Sequence, residues 1–134
     1  MKRITLGKLF ELYFDTFEKF GLHLLGESDE MLNYYVFESA DISIGYFSER
    51  VLTKFLDEGI IDEIIFDKSS LLLVGFRKIA SDNSLRNVEA VRNSPQWRAL
   101  MELSDGIKSL IKARWTEEEL YAIFTLEQPT GLTI

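Results

Sequence analysis

The sequence contains no cysteine and a single histidine, His23. Without cysteine the chain cannot form disulfides, thiolate metal sites, iron–sulfur clusters or a thiol nucleophile. A single imidazole excludes metal sites built from several histidines and leaves one candidate general base. His23 lies between Leu22 and Leu24 after the first predicted helix, which is typical of a packed or surface side chain. We therefore expect no cofactor and no bound metal.

Proline and glycine are also scarce, with two and eight copies among 134 residues, which excludes collagen-like and low-complexity chains. No apolar run approaches the roughly 18 residues that would suggest a membrane span, and acidic residues interrupt the N-terminal stretch. Because 46% of the residues are apolar and 13% are aromatic, the chain can bury a core. We expect a single domain over residues 1–134, located in the cytoplasm.

Motifs of phosphate-binding and nucleophilic chemistry are missing as well. The sequence has no Walker A loop, no G-x-G-x-x-G, no G-x-S-x-G and no H-E-x-x-H. The glycines are scattered along the chain, and several of them mark the ends of predicted helices. The sequence therefore predicts a protein that is not an enzyme.

Acidic residues are concentrated in one third of the chain. The net charge is −7, and residues 27–67 carry eleven acidic and two basic residues. The next block, residues 68–115, carries nine basic and four acidic residues. An acidic surface repels phosphates and attracts basic proteins, so we expect no nucleic acid as partner. Because no apolar run is long enough to span a bilayer, we expect no membrane as partner either. The basic block is interpreted either as a solvated face or as an internal partner of the acidic block.

Hydrophobic periodicity and capping residues predict an all-α fold, a single-domain bundle of about six or seven helices. The first helix has apolar residues at three- and four-residue steps, Thr5 as its N-cap and Gly21 as its stop. Around Pro129 and Gly131 we expect a loose tail. Later helices are predicted to start at the N-caps Ser48, Asp62, Ser84, Ser94 and Thr116.

Two segments fit either a helix or a strand. Residues 30–45 follow the candidate N-caps Ser28 and Asp29, and we predict a short helix followed by a connector over residues 41–45. Over residues 62–76 a helix competes with a hairpin, because short apolar runs do not separate the two. The helix is preferred here as well. The alternative is an α+β fold with a hairpin near 62–76.

Carboxylates are the one metal-ligating group present in number. Four of them surround one predicted helix start: Glu58, Asp62, Glu63 and Asp67. Paired carboxylates on helices hold magnesium in some enzymes that cleave phosphate chains. Acids in a first helical turn are equally explained by the helix dipole. A magnesium-dependent phosphohydrolase is the least favoured functional alternative.

Three stretches carry a further pattern: LDEGIIDEII at 56–65, VEAVRNSPQWR at 88–98 and LSDGI at 103–107. The pattern resembles small helical bacterial immunity proteins of contact-dependent growth inhibition and related polymorphic toxin systems. The resemblance covers about half of the chain and includes no catalytic motif. It implies a cytosolic protein that binds one cognate toxin, often a nuclease, and blocks it. It carries over no residue-level assignment, and the basic block 68–115 departs from a uniformly acidic binding face.

We expect the partner surface to lie in the acidic block. A nuclease active site is basic, so an inhibitor that covers it needs acids where phosphates bind, together with aromatic anchors. Tyrosines of the least regular segment are the expected exposed anchors. The predicted partner-binding residues are Glu27, Asp29, Glu30, Tyr34, Tyr35, Glu38, Asp41 and Tyr46. The main alternative is a helical adaptor that self-associates or binds a host protein through an apolar patch, and the oligomeric state is left open.

Overall fold

A computed structural model of the protein describes residues 3–133 and confirms the predicted all-α bundle. Seven α-helices are present in these residues once the single turn α3 is set aside. Within the same residues, no helix has the length and apolar character needed to cross a bilayer. The elements are β1 (Arg3–Thr5), α1 (Leu6–Lys19), a first 3-10 turn (Leu22–Gly26), α2 (Asp29–Asn33), a π-helical segment (Tyr34–Ala40), α3 (Asp41–Ser43), a second 3-10 turn (Ile44–Phe47), α4 (Glu49–Asp57), α5 (Glu63–Ala80), α6 (Val88–Asn93), α7 (Pro95–Arg114), α8 (Glu117–Phe124) and β2 (Pro129–Thr133).

Most helices begin at the predicted N-caps. The side chains of Thr5, Ser48 and Asp62 accept hydrogen bonds from the first-turn amides of α1, α4 and α5. Ser94 caps α7, and Thr116 forms the predicted capping box of α8 with the third residue of that helix. These bonds satisfy amides that a helix start leaves without an internal partner.

The predicted cap at Ser84 is wrong. The Ser84 hydroxyl donates to the Asp82 carboxylate at 2.7 Å, within a turn. Asn87 caps α6 instead, and its side-chain oxygen accepts from the Ala90 amide at 2.8 Å. The helix therefore begins at Val88, three residues later than predicted.

The core is built around α1, whose apolar residues at three- and four-residue steps form a largely buried aromatic stripe. The ring centroid of Tyr13 lies 5.4 Å from that of Phe17, 4.6 Å from that of Phe47 and 5.2 Å from that of Phe55. Its hydroxyl is hydrogen-bonded to the Ser69 hydroxyl at 2.8 Å, and both residues are fully buried. Burial raises the pKa of the Tyr13 phenol far above its ordinary value, because the charged form would be desolvated. The neutral phenol thereby ties α1 to α5.

Residues 62–76 belong to one helix and its N-cap, so the hairpin alternative is wrong. The Asp62 cap starts α5, and the buried residues recur along one helical face, as at Ile65, Leu72 and Phe76. The helix runs antiparallel to α7. The Phe76 ring lies 5.5 Å from the ring of Trp97 near the start of α7. At the other end of α7, the Arg114 guanidinium donates to the carbonyl just before α5, that of Gly59, at 2.9 Å.

The helix predicted after Ser28 is confirmed, with the Ser28 hydroxyl accepting from the Met31 amide at 3.3 Å. The connector predicted over residues 41–45 is wrong, because the chain stays helical through the π segment, α3 and the second 3-10 turn.

The buried side chains of this helical stretch recur every four residues, at Leu32, Val36, Ala40 and Ile44. At about 3.6 residues per turn, a regular α-helix would rotate such a row away from the core. The wider π winding offsets this rotation.

The loose tail predicted around Pro129 and Gly131 is also wrong. Strand β2 pairs antiparallel with β1, with Arg3 opposite Thr133 and Thr5 opposite Pro129. The Thr130 hydroxyl donates to the Ile4 carbonyl at 2.9 Å. This two-stranded sheet covers the start of the central helix α1.

The chain before β2 also satisfies the first amides of α1. The Leu6 amide donates to the Gln128 carbonyl at 2.7 Å, and the Gly7 amide donates to the Leu126 carbonyl at 3.0 Å. A Cβ on Gly7 would lie 2.4 Å from the Phe124 carbonyl oxygen. Only glycine allows this approach of the two backbones.

Replacing Gly7 with alanine is expected to lower the free energy of unfolding by about 2 kcal/mol, because the end of α8 must move away. Urea denaturation measures the loss. Gly106→Ala in the middle of α7 is the matched control, since a Cβ there meets nothing within 4 Å. The control is expected to raise stability by up to about 1 kcal/mol through helix propensity. Equal effects of the two substitutions would contradict the close approach of Gly7 to the end of α8.

Tyr13→Phe is expected to cost about 1–2 kcal/mol of unfolding free energy, because the Ser69 hydroxyl loses its partner inside the core. Ser69→Ala leaves the phenol unpaired and is expected to cost a similar amount. The double variant removes both polar groups, so its loss is expected to be smaller than the sum of the single losses. Denaturant titration of the four proteins tests this, and additive losses would argue against the buried bond.

Candidate functional site

A shallow groove of about 670 Å³ lies where α2 passes into the π segment, beside the start of α6. It brings together four of the eight predicted partner-binding residues. The groove is lined by Asp29, Glu30, Met31, Asn33, Tyr34, Glu38 and Val88. We call this the acidic groove, because three of its lining residues are acids and none is basic.

Two acids of the groove, Glu30 and Glu38, form no ion pair with any residue of the described chain, 3–133. Both side chains are exposed. Glu27 lies just before α2, is also exposed and is likewise without an ion pair in that range. Three predicted acids are therefore available to form ion pairs with basic residues of another molecule.

Apolar surface lies beside these carboxylates. Tyr34 is 48% exposed and Met31 is 37% exposed. The neighbouring Tyr35 is half-buried, packs against the core and contacts Tyr34 edge to face at a centroid distance of 5.6 Å. Tyr34 is thus the tyrosine that the groove presents, whereas Tyr35 supports it from behind.

The remaining predicted residues lie outside the groove. The Asp41 carboxylate is 3.7 Å from the Arg86 guanidinium, and this guanidinium also stacks 5.1 Å above the Phe37 ring. Tyr46 is half-buried and lines a different depression with Ile42 and other residues.

The loop before the groove is held by Arg92 of α6. Its Nε donates to the Asp29 carboxylate at 2.9 Å. Its Nη1 donates to the Leu25 carbonyl at 3.0 Å, and its Nη2 donates to the Glu27 carbonyl at 2.6 Å. One planar guanidinium thus fixes the turn that leads into α2. This role could not be predicted from the sequence, since the partners of Arg92 are more than sixty residues away along the chain.

The four carboxylates of the phosphohydrolase alternative have separate structural roles. Asp62 caps α5 and lies 3.8 Å from the Arg114 guanidinium. Glu58 is the C-cap of α4, and Glu63 and Asp67 are exposed on α5. Among residues 3–133, no three His, Cys, Asp or Glu side chains are close enough to hold a metal ion.

A second groove, of about 650 Å³, lies between α1, the end of α7 and α8. Aromatic side chains dominate its lining, including Trp115 and Tyr121. Lys108 binds the Glu18 carboxylate there and lowers its pKa. Lys112 adds another base to this surface. Its charge is therefore more balanced than that of the acidic groove.

Comparison with protein-family models, with curated proteins and with solved structures finds no match for this chain. The resemblance to immunity proteins is therefore carried by the sequence pattern alone.

Arg92→Lys is expected to lower the free energy of unfolding by about 1–2 kcal/mol, because an ammonium keeps the charge but cannot reach three acceptors at once. Hydrogen exchange of residues 25–31 should speed up. Arg98→Lys is the matched control, since Arg98 forms a surface pair with Glu102 at 3.5 Å. We expect the control to stay within about 0.5 kcal/mol of the parent. Similar losses in both variants would contradict the role of Arg92.

Proposed function

We propose that this protein is an immunity protein, which binds a cognate basic toxin domain in the cytoplasm and neutralises it. The observation that supports the proposal best is the acidic groove. It places the free carboxylates of Glu30 and Glu38 beside the exposed side chains of Tyr34 and Met31.

The groove suits the lysine and arginine side chains of a protein partner. The aliphatic stem of such a side chain packs on apolar surface, here that of Tyr34 and Met31, while its charged head stays at the polar edge. Glu30 and Glu38 would accept hydrogen bonds from that head. A nuclease presents lysines and arginines where it binds phosphates. The proposed mechanism is therefore occlusion of the substrate surface of a nuclease.

The charge of the protein supports fast capture of such a toxin. The net charge is −7, and long-range attraction between opposite charges raises the association rate. The acids of the groove add a local field at the contact itself. Arg92 holds the preceding loop in place before binding, which reduces the entropy lost when the complex forms.

The first experiment is co-expression with the product of the neighbouring gene. If the neighbour is toxic alone, is tolerated together with this chain and co-purifies with it at one to one, the proposal is supported. A neighbour that is harmless and does not co-purify would argue against it.

The groove itself is tested by reversing its free charges. We expect Glu30→Lys/Glu38→Lys to lower the association rate with the toxin about tenfold at low salt and to weaken its salt dependence. Surface plasmon resonance over a salt series measures both effects.

The matched control is Glu58→Lys/Glu127→Lys, which changes the net charge equally at exposed acids outside the groove. If long-range charge alone matters, both double variants slow association equally. In that case Glu30 and Glu38 make no specific contact with the toxin.

A further inference from the structure

Helix α5 has two different faces. One face is buried against the core through residues such as Ser69, Leu72 and Phe76. The opposite face carries three large apolar side chains in solvent. Ile64 is 59% exposed, Leu71 is 61% exposed and Val74 is 64% exposed. This outward face is separate from the acidic groove, to which α5 contributes no residue.

The outward apolar residues belong to a longer stripe. Its members follow one another at alternating three- and four-residue steps: Ile64, Asp67, Leu71, Val74 and Lys78. This alternation is the a/d spacing by which two helices pack side by side in a coiled coil. Asp67 and Lys78 are exposed and form no ion pair within the part of the chain that the structure describes. We call these five residues the α5 stripe.

The charges of the α5 stripe select one arrangement of two copies. A parallel pair places each charged residue against its own copy, which is repulsive. In an antiparallel pair the a and d positions alternate across the contact. Leu71 then lies opposite Val74 of the second copy, and Asp67 lies opposite Lys78 of the second copy. Because the pair is related by a two-fold axis, each of these contacts occurs twice.

We propose that the α5 stripe is a self-association surface through which two copies of this chain form an antiparallel helix pair. In this register the stripe is complementary to itself in charge and brings Leu71 and Val74 together, which favours a second copy over an unrelated partner. Two further features support the pairing. The helix dipoles of an antiparallel pair also oppose one another favourably. In addition, α5 is fixed from behind by α7, through the contact of Phe76 with Trp97.

The length of α5 is sufficient for this contact. Its 18 residues extend over about 27 Å at about 1.5 Å per residue. The proposal does not depend on the acidic groove. A dimer would leave the groove of each copy exposed for its own partner.

Sedimentation velocity of the full chain over a concentration series tests the proposal. We expect a monomer–dimer equilibrium in the parent. Leu71→Glu is expected to weaken dimerisation about a hundredfold, because it places two carboxylates in the apolar centre of the contact. Ile42→Glu is the matched control, since Ile42 is 77% exposed but lies outside α5. The control should dimerise like the parent.

A charge exchange gives the sharper test. Asp67→Lys and Lys78→Asp each bring like charges together, and each is expected to weaken dimerisation about tenfold. The double variant Asp67→Lys/Lys78→Asp restores opposite charges across the pair and should recover dimerisation.

Three results would overturn the proposal. The first is a parent that stays monomeric at all concentrations up to about 1 mM, which corresponds to about 4 kcal/mol of association free energy. The second is a dimer that Leu71→Glu does not weaken. The third is a double variant that dimerises no better than the single ones.

Discussion

The hydrogen bond between Tyr13 and Ser69 holds the centre of this bundle together. Tyr13 lies among aromatic rings from α1, the second 3-10 turn and α4, and its hydroxyl reaches across to α5. A polar pair in an aromatic core fixes the relative position of its two helices, because any shift leaves a buried hydroxyl without a partner. The hydrogen bond fixes how closely α5 packs against α1, and the ring contact of Tyr13 with Phe47 fixes where the second 3-10 turn passes. The α5 stripe faces solvent because the opposite side of α5 is held here.

The basic block is used to stabilise the fold, and this determines which acids are free. Arg92 binds Asp29, Arg86 lies beside Asp41, and Arg114 lies beside Asp62. Each of these pairs joins a residue of the acidic block to one of the basic block. The acids without such a partner in residues 3–133 include Glu27, Glu30 and Glu38, which lie in or next to the acidic groove. These ion pairs therefore leave the acidic groove with carboxylates that have no basic neighbour among the described residues.

Local signals in the sequence predict much of this fold. Helix starts follow from short-range hydrogen bonds, such as that of Asp62 with the amide three residues ahead, so most of them can be predicted. At α6 two suitable N-caps, Ser84 and Asn87, lie close together in the sequence, and only Asn87 caps the helix. The long-range contacts are different. The pairing of β1 with β2 and the binding of Arg92 to Asp29 depend on where the chain returns in space, which no short pattern encodes. The π winding of residues 34–40 could not be predicted, because a row of apolar residues at four-residue steps is equally typical of an α-helix.

The distinction between local signals and long-range packing also applies to the acidic groove. Composition indicates an acidic surface, and four predicted residues meet in one groove. Tyr46 does not, because the helical path from 29 to 47 carries it to another side, next to Ile42. Tyr34 and Tyr35 are neighbours in sequence, yet burial divides their roles. Exposure of an aromatic side chain is decided by the packing around it and cannot be derived from the identity of the residue.

The pairing of the two strands has a consequence for how the protein is made. Thr130 is separated by 126 residues from the Ile4 carbonyl to which it donates. Translation runs from α1 towards β2, so the first amides of α1 meet the carbonyls of Leu126 and Gln128 only after the helices between them have been made. The domain closes after β2 has left the exit tunnel.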